Sequence, residues 1–229
     1  MHKIEFTIQH TVLQYKPLML DGLIAKFWLQ KYHPESFFNK PMYAPDELFD
    51  FSTAKDFPIE FDAEAGCFLA SQIFLTGNVQ SFITSEKKRW NEQSHWVISD
   101  KERTGIDTQR GTMKSANIPR TGFVCSGAVA WFCGDADKVA EILQDIVGIG
   151  KKVSKGYGWI RDVKISACNG NFWDTLKRPA PLEFAAQKKK TGSIFVMRTM
   201  PPYHQQIGAV PCVVPSSDKN YTDFLIQNS

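Results

Sequence analysis

The start of the chain alternates apolar and polar side chains and then changes to a helical period. Between Lys3 and Leu13, apolar Ile4, Phe6 and Ile8 alternate with polar neighbours, which is typical of a strand with one buried face. From Leu20 to Trp28, apolar residues recur at the spacing of one helix face. The pattern predicts a first strand over Lys3–Leu13 and a helix over Asp21–Tyr32, with Asp21 as its N-cap.

Later segments carry further strand patterns and a second helical pattern. Cys67–Leu75 is apolar on both faces and suits a central strand. After Asp135, a favourable N-cap, the apolar residues between Val139 and Ile146 fall on one helix face. The other predicted strands are Phe123–Cys133, Gly158–Ile165, Ser193–Thr199 and Ile207–Val214.

The order of these elements predicts the fold class. The polar and basic stretch from Asn78 to Pro119 is hard to bury, so we expect it to project from the core as a loop or hairpin. The rest reads strand, helix, strand, strand, helix, strand, which is the split βαβ order of a ferredoxin-like α+β domain. We predict a core over residues 1–168 with an insert at about 78–119, and a C-terminal extension over residues 169–229 that packs on the core.

Composition indicates a globular protein without metal or membrane features. The chain has 229 residues, of which 43% are hydrophobic and 22% charged, enough for a substantial core. Its five cysteines show no C-x-x-C or His-Cys spacing, so we expect reduced thiols, no metal and no cofactor. There is no signal-peptide pattern and no apolar stretch of bilayer length, so we expect a soluble cytoplasmic protein with no membrane partner.

Charge is distributed unevenly along the chain. The total is only +3, from 27 basic and 24 acidic residues. Residues 148–190 have ten basic and three acidic side chains, and residues 81–120 have an excess of three positive charges, which favours a phosphate-bearing partner. Residues 35–66 have eight acidic and two basic side chains. That acidic stretch either contacts a basic neighbouring subunit or keeps the protein soluble.

The most informative segment is GIGKKVSKGYG, over residues 148–158. Glycine permits positive φ and close approach of the backbone, so the loop can present amides to phosphate oxygens while its three lysines supply charge. Both common nucleotide motifs fail on context, because a Walker loop opens a helix and a dinucleotide-binding loop follows a strand. The structural alternative is a glycine-rich turn that simply ends the preceding helix.

In this region the sequence resembles the CRISPR-associated RAMP superfamily. The second helix, GIGKKVSKGYG and the strand after it are similar to that superfamily's G-h-G-x-x-x-x-x-G-h-G signature. LDGLIAKFWL, GCFLASQIF, RGTMKSANIP and PPYHQQIGAVPCVVP resemble segments of the small RAMP subunit of type IV CRISPR complexes, in the Cas "five" group. The resemblance implies a ferredoxin-like (RRM-like) RAMP core with an inserted β-hairpin thumb and a C-terminal hairpin extension.

The resemblance also implies a function, partners and RNA-binding residues. Such a subunit binds the 5′ handle of a guide (CRISPR) RNA and caps a filament of backbone RAMP subunits, beside a large-subunit-like partner and near target DNA at the flanking motif. The glycines would shape the loop against the handle, and basic side chains would contact phosphates along the guide path. The implied residues are Gly148, Gly150, Lys151, Lys152, Lys155, Gly156, Tyr157, Gly158, Lys87, Lys88, Arg89, Arg110 and Lys114. Trp90, Trp96 and Tyr157 either stack on bases or pack within the protein.

The sequence offers no catalytic constellation. None of its five histidines has an identifiable second acid, base or orienting group, so we expect no catalytic residues. About 70 residues follow the glycine loop, whereas in the processing endonucleases of the superfamily the loop lies near the C-terminus. Two alternatives stay open: a metal-independent CRISPR-repeat endoribonuclease using His33 or His95, and a general single-strand RNA-binding RRM-like protein.

Overall fold

The computed structural model describes residues 1–9, 11–14, 17–35, 51, 54–88, 116–203 and 208–215. It shows an α+β fold with antiparallel sheets and few helices, which confirms the predicted class. The strands are β1 (His2–Ile8), β2 (Val12–Leu13), β3 (Phe61–Asp62), β4 (Cys67–Phe68), β5 (Phe74–Thr76), β6 (Gln80–Lys88), β7 (Ala116–Val124), β8 (Gly127–Phe132), β9 (Ile160–Ala167), β10 (Ala180–Pro181), β11 (Ile194–Met197) and β12 (Val210–Val213). The helices are α1 (Leu20–Tyr32), α2 (Ala136–Leu143) and α3 (Leu182–Gln187).

The largest sheet has four strands in the order β5-β8-β1-β9, with every neighbouring pair antiparallel. On β1, the alternate side chains of Ile4, Phe6 and Ile8 are buried, as the sequence pattern predicts. Ile4 lies opposite Ala130 of β8 on one side and Ile165 of β9 on the other. With the two longer helices included, the chain order is β1, α1, β5, β8, α2, β9.

The two longer helices share one apolar core with this sheet. Ile24 and Trp28 of α1 and Val139 and Ile142 of α2 are buried in the same cluster as the apolar side chains of β1 and β8. Burial of these faces supplies the main driving force for the arrangement. No helix among the described residues is long and apolar enough to cross a membrane.

The two predicted N-caps have different outcomes. At α2 the prediction is confirmed: Asp135 Oδ1 accepts hydrogen bonds from the amides of Asp137 and Lys138 at 3.1 and 3.0 Å. At α1 it is wrong, because Met19 occupies the N-cap position and Asp21 is fully buried inside the first turn. Instead of capping the helix, Asp21 forms an ion pair with Arg178 of the C-terminal extension.

The first predicted strand, Lys3–Leu13, is divided between two sheets. After β1 the amides of Ile8 and Gln9 donate to the carbonyls of Ser126 and Trp159, at 3.1 and 2.9 Å. These bonds end the ladder, and β2 then pairs with β7 in a second sheet. The prediction of one continuous strand is therefore wrong beyond Ile8.

Two other predicted strands are also divided. A central strand over Cys67–Leu75 is wrong: β4 forms a short hairpin with β3, and β5 lies at the edge of the four-stranded sheet. The segment is apolar on both faces because Cys67 packs into a second cluster with residues of the C-terminal extension, including Phe184. The predicted strand Phe123–Cys133 is broken at a turn, where the Ser126 amide donates to the Thr76 carbonyl at 3.2 Å.

The insert contributes a long hairpin to the second sheet. β6 and β7 pair antiparallel over nine residues each, and β2 pairs with the other edge of β7. Strand β7 extends beyond Pro119, the predicted end of the insert, to Val124. A Cβ on Gly122 of β7 would collide with the Phe82 ring and would lie 2.8 Å from Leu13 Cδ2, so these side chains close over the glycine. Residues 89–115 lie outside the described residues.

The C-terminal extension forms a third sheet and a second apolar cluster. β11 and β12 pair as the sequence predicts, and β10 adds to the other edge of β12. Phe184 and Ala185 of α3 pack with Ala65 and Cys67 of the β3-β4 hairpin. The division into a core and an extension at residue 168 stays a prediction.

One fully buried ion pair joins the extension to α1. Arg178 Nη1 donates to Asp21 Oδ2 at 3.2 Å and to the Ala70 carbonyl at 3.1 Å, and it also contacts the Phe68 carbonyl. The Tyr203 hydroxyl donates to Asp21 Oδ2 at 2.6 Å. Arg178 and Tyr203 follow Asp21 by 157 and 182 residues. The carboxylate in the first turn of α1 is therefore satisfied by residues from a distant part of the chain.

Burial and hydrogen bonding shift the pKa of the Asp21 carboxyl in opposite directions. Burial raises the pKa of the Asp21 carboxyl above its usual value, although Arg178, the Tyr203 hydroxyl and the Gly22 amide all favour the charged form. Burial and the adjacent Asp21 raise the pKa of Tyr203 well above its usual value, so the phenol stays protonated and acts as a donor. The position of the Tyr203 ring requires a residue without a side chain at Gly22, because a Cβ there would lie 2.8 Å from Tyr203 Cδ2.

We expect the variant Arg178→Met to lose about 3–5 kcal/mol of unfolding free energy, because it leaves the buried Asp21 carboxyl without its cation. Tyr203→Phe removes one donor to that carboxyl and should cost about 1–3 kcal/mol. Equilibrium denaturant unfolding measures both losses.

A matched control is Lys31→Met, which removes a cation whose ion pair with Glu141 at 2.9 Å is partly exposed, and should change stability little. If Arg178→Met does not fold, the double variant Asp21→Asn/Arg178→Met should recover stability, because it removes the uncompensated charge. A loss for Arg178→Met as small as that for Lys31→Met would contradict this role of the pair.

Candidate nucleic-acid interface

The glycine-rich segment over residues 148–158 connects α2 to β9 and folds back on itself. The Ile149 amide donates to the Gly158 carbonyl at 2.9 Å, and the Ile160 amide donates to the Val147 carbonyl at 3.1 Å. Between them, residues Val153–Lys155 form one turn of 3-10 helix. The two Gly-x-Gly pairs therefore face each other across the neck of a closed loop.

Close approach explains the glycines at the neck. Gly158 has φ +66°, and a Cβ there would collide with the Ile149 carbonyl oxygen. A Cβ on Gly150, at φ +90°, would lie 2.7 Å from the Leu13 carbonyl oxygen. A Cβ on Gly148 would meet Val153 Cγ1 at 2.7 Å, whereas Gly156 faces open space. Three of the four glycines are thus required by packing of the loop on itself or on β2.

The loop is anchored to β2. The Lys151 amide donates to the Leu13 carbonyl at 2.7 Å, and the Gly158 amide donates to the Thr11 carbonyl at 2.8 Å. Leu13 pairs with Gly122 on its other side, so β2 lies between the loop and the β6-β7 hairpin. The amides of Ile149, Lys151, Lys155, Gly156 and Gly158 bond to backbone carbonyls, so these five do not face a ligand. These five amides stabilise the loop itself.

Three cationic side chains meet at one carboxylate on the hairpin. Glu86 Oε1 accepts hydrogen bonds from Lys155 Nζ at 2.7 Å and lies 3.0 Å from Lys152 Nζ. Glu86 Oε2 lies 3.4 Å from Arg120 Nη2. We call these four residues, Glu86, Arg120, Lys152 and Lys155, the loop-hairpin cluster. It carries two more positive charges than negative ones and joins the glycine loop to the base of the insert.

Strand register explains how the hairpin contributes to this cluster. Thr84 and Arg120 are directly opposite across β6 and β7, and Glu86 is opposite Ile118. Arg120 and Glu86 are therefore diagonal neighbours on one face of the pair, within reach of long side chains. Phe82 and Gly122 form another directly opposite pair on the same face. Gly122 also pairs with Leu13, the residue that anchors the glycine loop.

The cations determine the protonation state of the carboxylate. Hydrogen bonds from Lys155 and Lys152 lower the pKa of Glu86 from 4.5 to about 2. Glu86 is consequently ionised at neutral pH. The contribution of this group to stability is fully present above pH 4.5 and is lost as pH falls through about 2.

The structure places the predicted loop residues together, but it describes only some of the predicted hairpin residues. Lys151 is exposed and Tyr157 is partly buried, beside the two lysines of the cluster. Lys87 and Lys88 lie on β6 directly after Glu86. Arg89, Arg110 and Lys114 lie outside the described residues, as do the aromatic residues Trp90 and Trp96.

Sequence reasoning missed three residues at this interface. Glu86 and Arg120 were not among the predicted site residues, because their pairing depends on the register of β6 and β7. Trp159 Nε1 donates to the Val153 carbonyl at 2.9 Å, so the indole stabilises the loop. The residue is nevertheless 45% exposed to solvent. The aromatic residue next to the last glycine was the signal that could have indicated it.

The described histidines contact aromatic rings. His2 stacks on Phe132 with ring centroids 5.1 Å apart, and His33 lies 4.5 Å from the Trp28 ring centroid. His10, His95 and His204 lie outside the described residues. In the described part of the chain, no group of three or more His, Cys, Asp or Glu side chains is arranged to hold a metal ion.

We expect the Glu86 carboxyl to remain unprotonated at pH 4.5, the ordinary midpoint for glutamate, because two lysines donate to it. A pH titration followed by carboxyl carbon NMR measures this directly. In Lys152→Ala/Lys155→Ala the midpoint should rise toward the ordinary value. Glu86 titrating normally in the wild-type protein would show that the cluster does not form in solution.

Comparison with known proteins identifies the family. A family model described as CRISPR type IV associated protein Csf3 matches residues 2–215. No curated protein matches the chain. The matched range includes the four-stranded sheet, the glycine-rich loop and the described strands of the C-terminal extension. The chain therefore belongs to the Csf3 family of type IV CRISPR-associated proteins.

Proposed function

We propose that the chain is a non-catalytic subunit of a type IV CRISPR effector complex that binds the 5′ handle of the guide RNA and caps the filament of backbone subunits. Family membership supports a role in a type IV complex. The loop-hairpin cluster is the observation that carries RNA binding. It gathers three cations from two distant segments beside exposed Lys151, at the junction where the insert leaves the core.

The sheet topology supports a ferredoxin-like (RRM-like) RAMP core. The four strands of the largest sheet follow one another along the chain as β1, β5, β8 and β9, with a helix after the first and after the third. Their spatial order is second, third, first, fourth, and all neighbours are antiparallel. This is the arrangement expected of a split βαβ fold, in which the two helices cover one face. The hairpin of β6 and β7 is the proposed thumb.

The proposed partners follow from the same role. A capping subunit contacts backbone RAMP subunits and a large-subunit-like partner, and its hairpin lies near target DNA beside the flanking motif. Mechanistically, the handle would be recognised through its phosphates and splayed bases, while base pairing by the guide reads the target sequence. The acidic segment within residues 35–64 is a candidate contact for a basic neighbour.

Function without catalysis is proposed from the charged side chains of the loop-hairpin cluster. The loop-hairpin cluster offers lysine and arginine donors that suit phosphate binding. The chain would therefore hold RNA rather than cut it.

We expect the triple variant Lys151→Ala/Lys152→Ala/Lys155→Ala to weaken RNA binding and to flatten its salt dependence. If each lysine neutralises one phosphate, the slope of log K against log salt falls in magnitude by about 2. Fluorescence anisotropy with a single-stranded RNA over a range of salt concentrations measures the slope.

The matched control is Lys188→Ala/Lys189→Ala/Lys190→Ala, which removes the same charge from the C-terminal extension. Its slope should stay close to that of the wild type. Equal loss in both triple variants would show that binding follows net charge alone, and an unchanged slope in the loop variant would exclude the loop from the interface.

We expect the protein, purified from cells that co-express its complex partners and a repeat array, to retain RNA with a common repeat-derived 5′ end. Sequencing of the co-purified RNA tests this, because a capping subunit selects one end of the guide. A random RNA mixture would favour a general single-strand binder. Cleavage of repeat RNA that is lost in His33→Ala or His95→Ala would favour the endoribonuclease.

A further inference from the structure

The loop-hairpin cluster contains its own anion at the place where the proposed function requires an RNA phosphate. The carboxylate of Glu86 is held by lysines of the loop through one oxygen and by Arg120 through the other. A phosphodiester presents two non-bridging oxygens with the same charge, so the same three donors can bind it in the same way. The carboxylate thus imitates the ligand.

Arg120 is incompletely satisfied by this internal anion. Its Nη2 lies 3.4 Å from Glu86 Oε2, which is long for a charge-assisted hydrogen bond. Within the described residues, its buried Nε has no hydrogen-bond partner. An arginine with one long ion pair and one unused donor, next to two lysines, is a site that a better-fitting acceptor improves.

The ion pairs of the cluster are open to solvent and can therefore exchange. The Lys155 side chain is 57% exposed and that of Glu86 is 26% exposed. Ion pairs in such surroundings contribute little, because water and salt compete for both partners. A nucleic acid strand adds the entropy of counterion release from neighbouring phosphates, which a single small anion lacks. After displacement Glu86 would face solvent rather than an apolar interior.

We propose that Glu86 is the resting occupant of a phosphate site formed by Lys152, Lys155 and Arg120, and that an RNA phosphate displaces it. The inference rests on the proposed RNA-binding function and identifies the atoms that exchange. Before RNA binds, Glu86 holds the loop and the hairpin together and keeps the three cations gathered. Because the carboxylate competes, the site favours a polyanion over single phosphate ions. Glu86 is accordingly a positioning residue that tunes affinity.

The variant Glu86→Gln separates competition from simple support. Loss of the competing charge should tighten binding of oligouridylate about ten nucleotides long and steepen the salt slope by up to about 0.7, the value of one phosphate contact. The gain should disappear in the Lys152→Ala/Lys155→Ala background, because the cations that Glu86 neutralises are then absent. Glu86→Asp, which keeps the charge, should bind like the wild type.

The control variant is Glu64→Gln. Glu64 also pairs with a lysine, Lys188 at 3.3 Å, but it lies in the turn between β3 and β4. Glu64→Gln removes one negative charge, as Glu86→Gln does, so an equal gain in RNA affinity for both variants would show a general charge effect. Weaker or unchanged binding by Glu86→Gln, with the fold verified by circular dichroism and thermal melting, would overturn the proposal and show that the carboxylate only supports the loop.

NMR provides a readout that does not depend on affinity. When oligouridylate saturates the wild-type protein, the pKa of the Glu86 carboxyl should rise from about 2 toward 4.5, because the lysines have turned to phosphate. A pKa that stays near 2 with RNA bound would refute displacement while leaving RNA binding intact. If the wild-type protein binds no RNA at all, even with its complex partners, the proposed function fails and this inference fails with it.

Discussion

The burial of Arg178 against Asp21 constrains the whole fold. A guanidinium and a carboxylate that are both removed from water must satisfy each other and their remaining hydrogen bonds from the surrounding chain. Here the bonds come from α1, from the carbonyls of Phe68 in β4 and Ala70 beyond it, and from Tyr203 of the C-terminal extension. The pair thus holds three parts of the chain in one relative position.

The candidate interface depends on a second constraint, the departure of β2 from the first sheet. Since β1 ends at Ile8, the chain enters the sheet of the long hairpin and offers the Leu13 carbonyl to the glycine loop. Three separated segments then meet: the strand β2, the base of the hairpin and the loop before β9. The glycines make this contact possible by removing the side chains that would keep the backbones apart. The candidate interface lies at a junction between two sheets, and backbone hydrogen bonds and ion pairs stabilise it.

Local patterns in the sequence predicted the elements that local physics determines. The capping carboxylate of Asp135, the helical face of α2 and the alternation on β1 all depend on residues a few positions apart, and all are found. The glycine loop was also recognised, because its spacing has few uses other than close backbone approach. What the sequence did not reveal depends on register and sheet membership. Glu86 meets Lys155 across 69 residues and Arg120 across 34. The apolar run of Cys67–Leu75 is buried partly in the main core and partly, through Cys67, against the extension.

The ion pair of α1 also sets the time at which the fold can be completed during synthesis. Asp21 leaves the ribosome 157 residues before Arg178 and 182 residues before Tyr203. At the usual speed of translation, roughly ten to thirty seconds pass before its cation exists. Throughout that interval the carboxylate of α1 lacks the cation that offsets the cost of its burial, so the final position of the helix is disfavoured. A nascent or truncated chain that ends before Arg178 therefore lacks the group that compensates the buried carboxylate of α1.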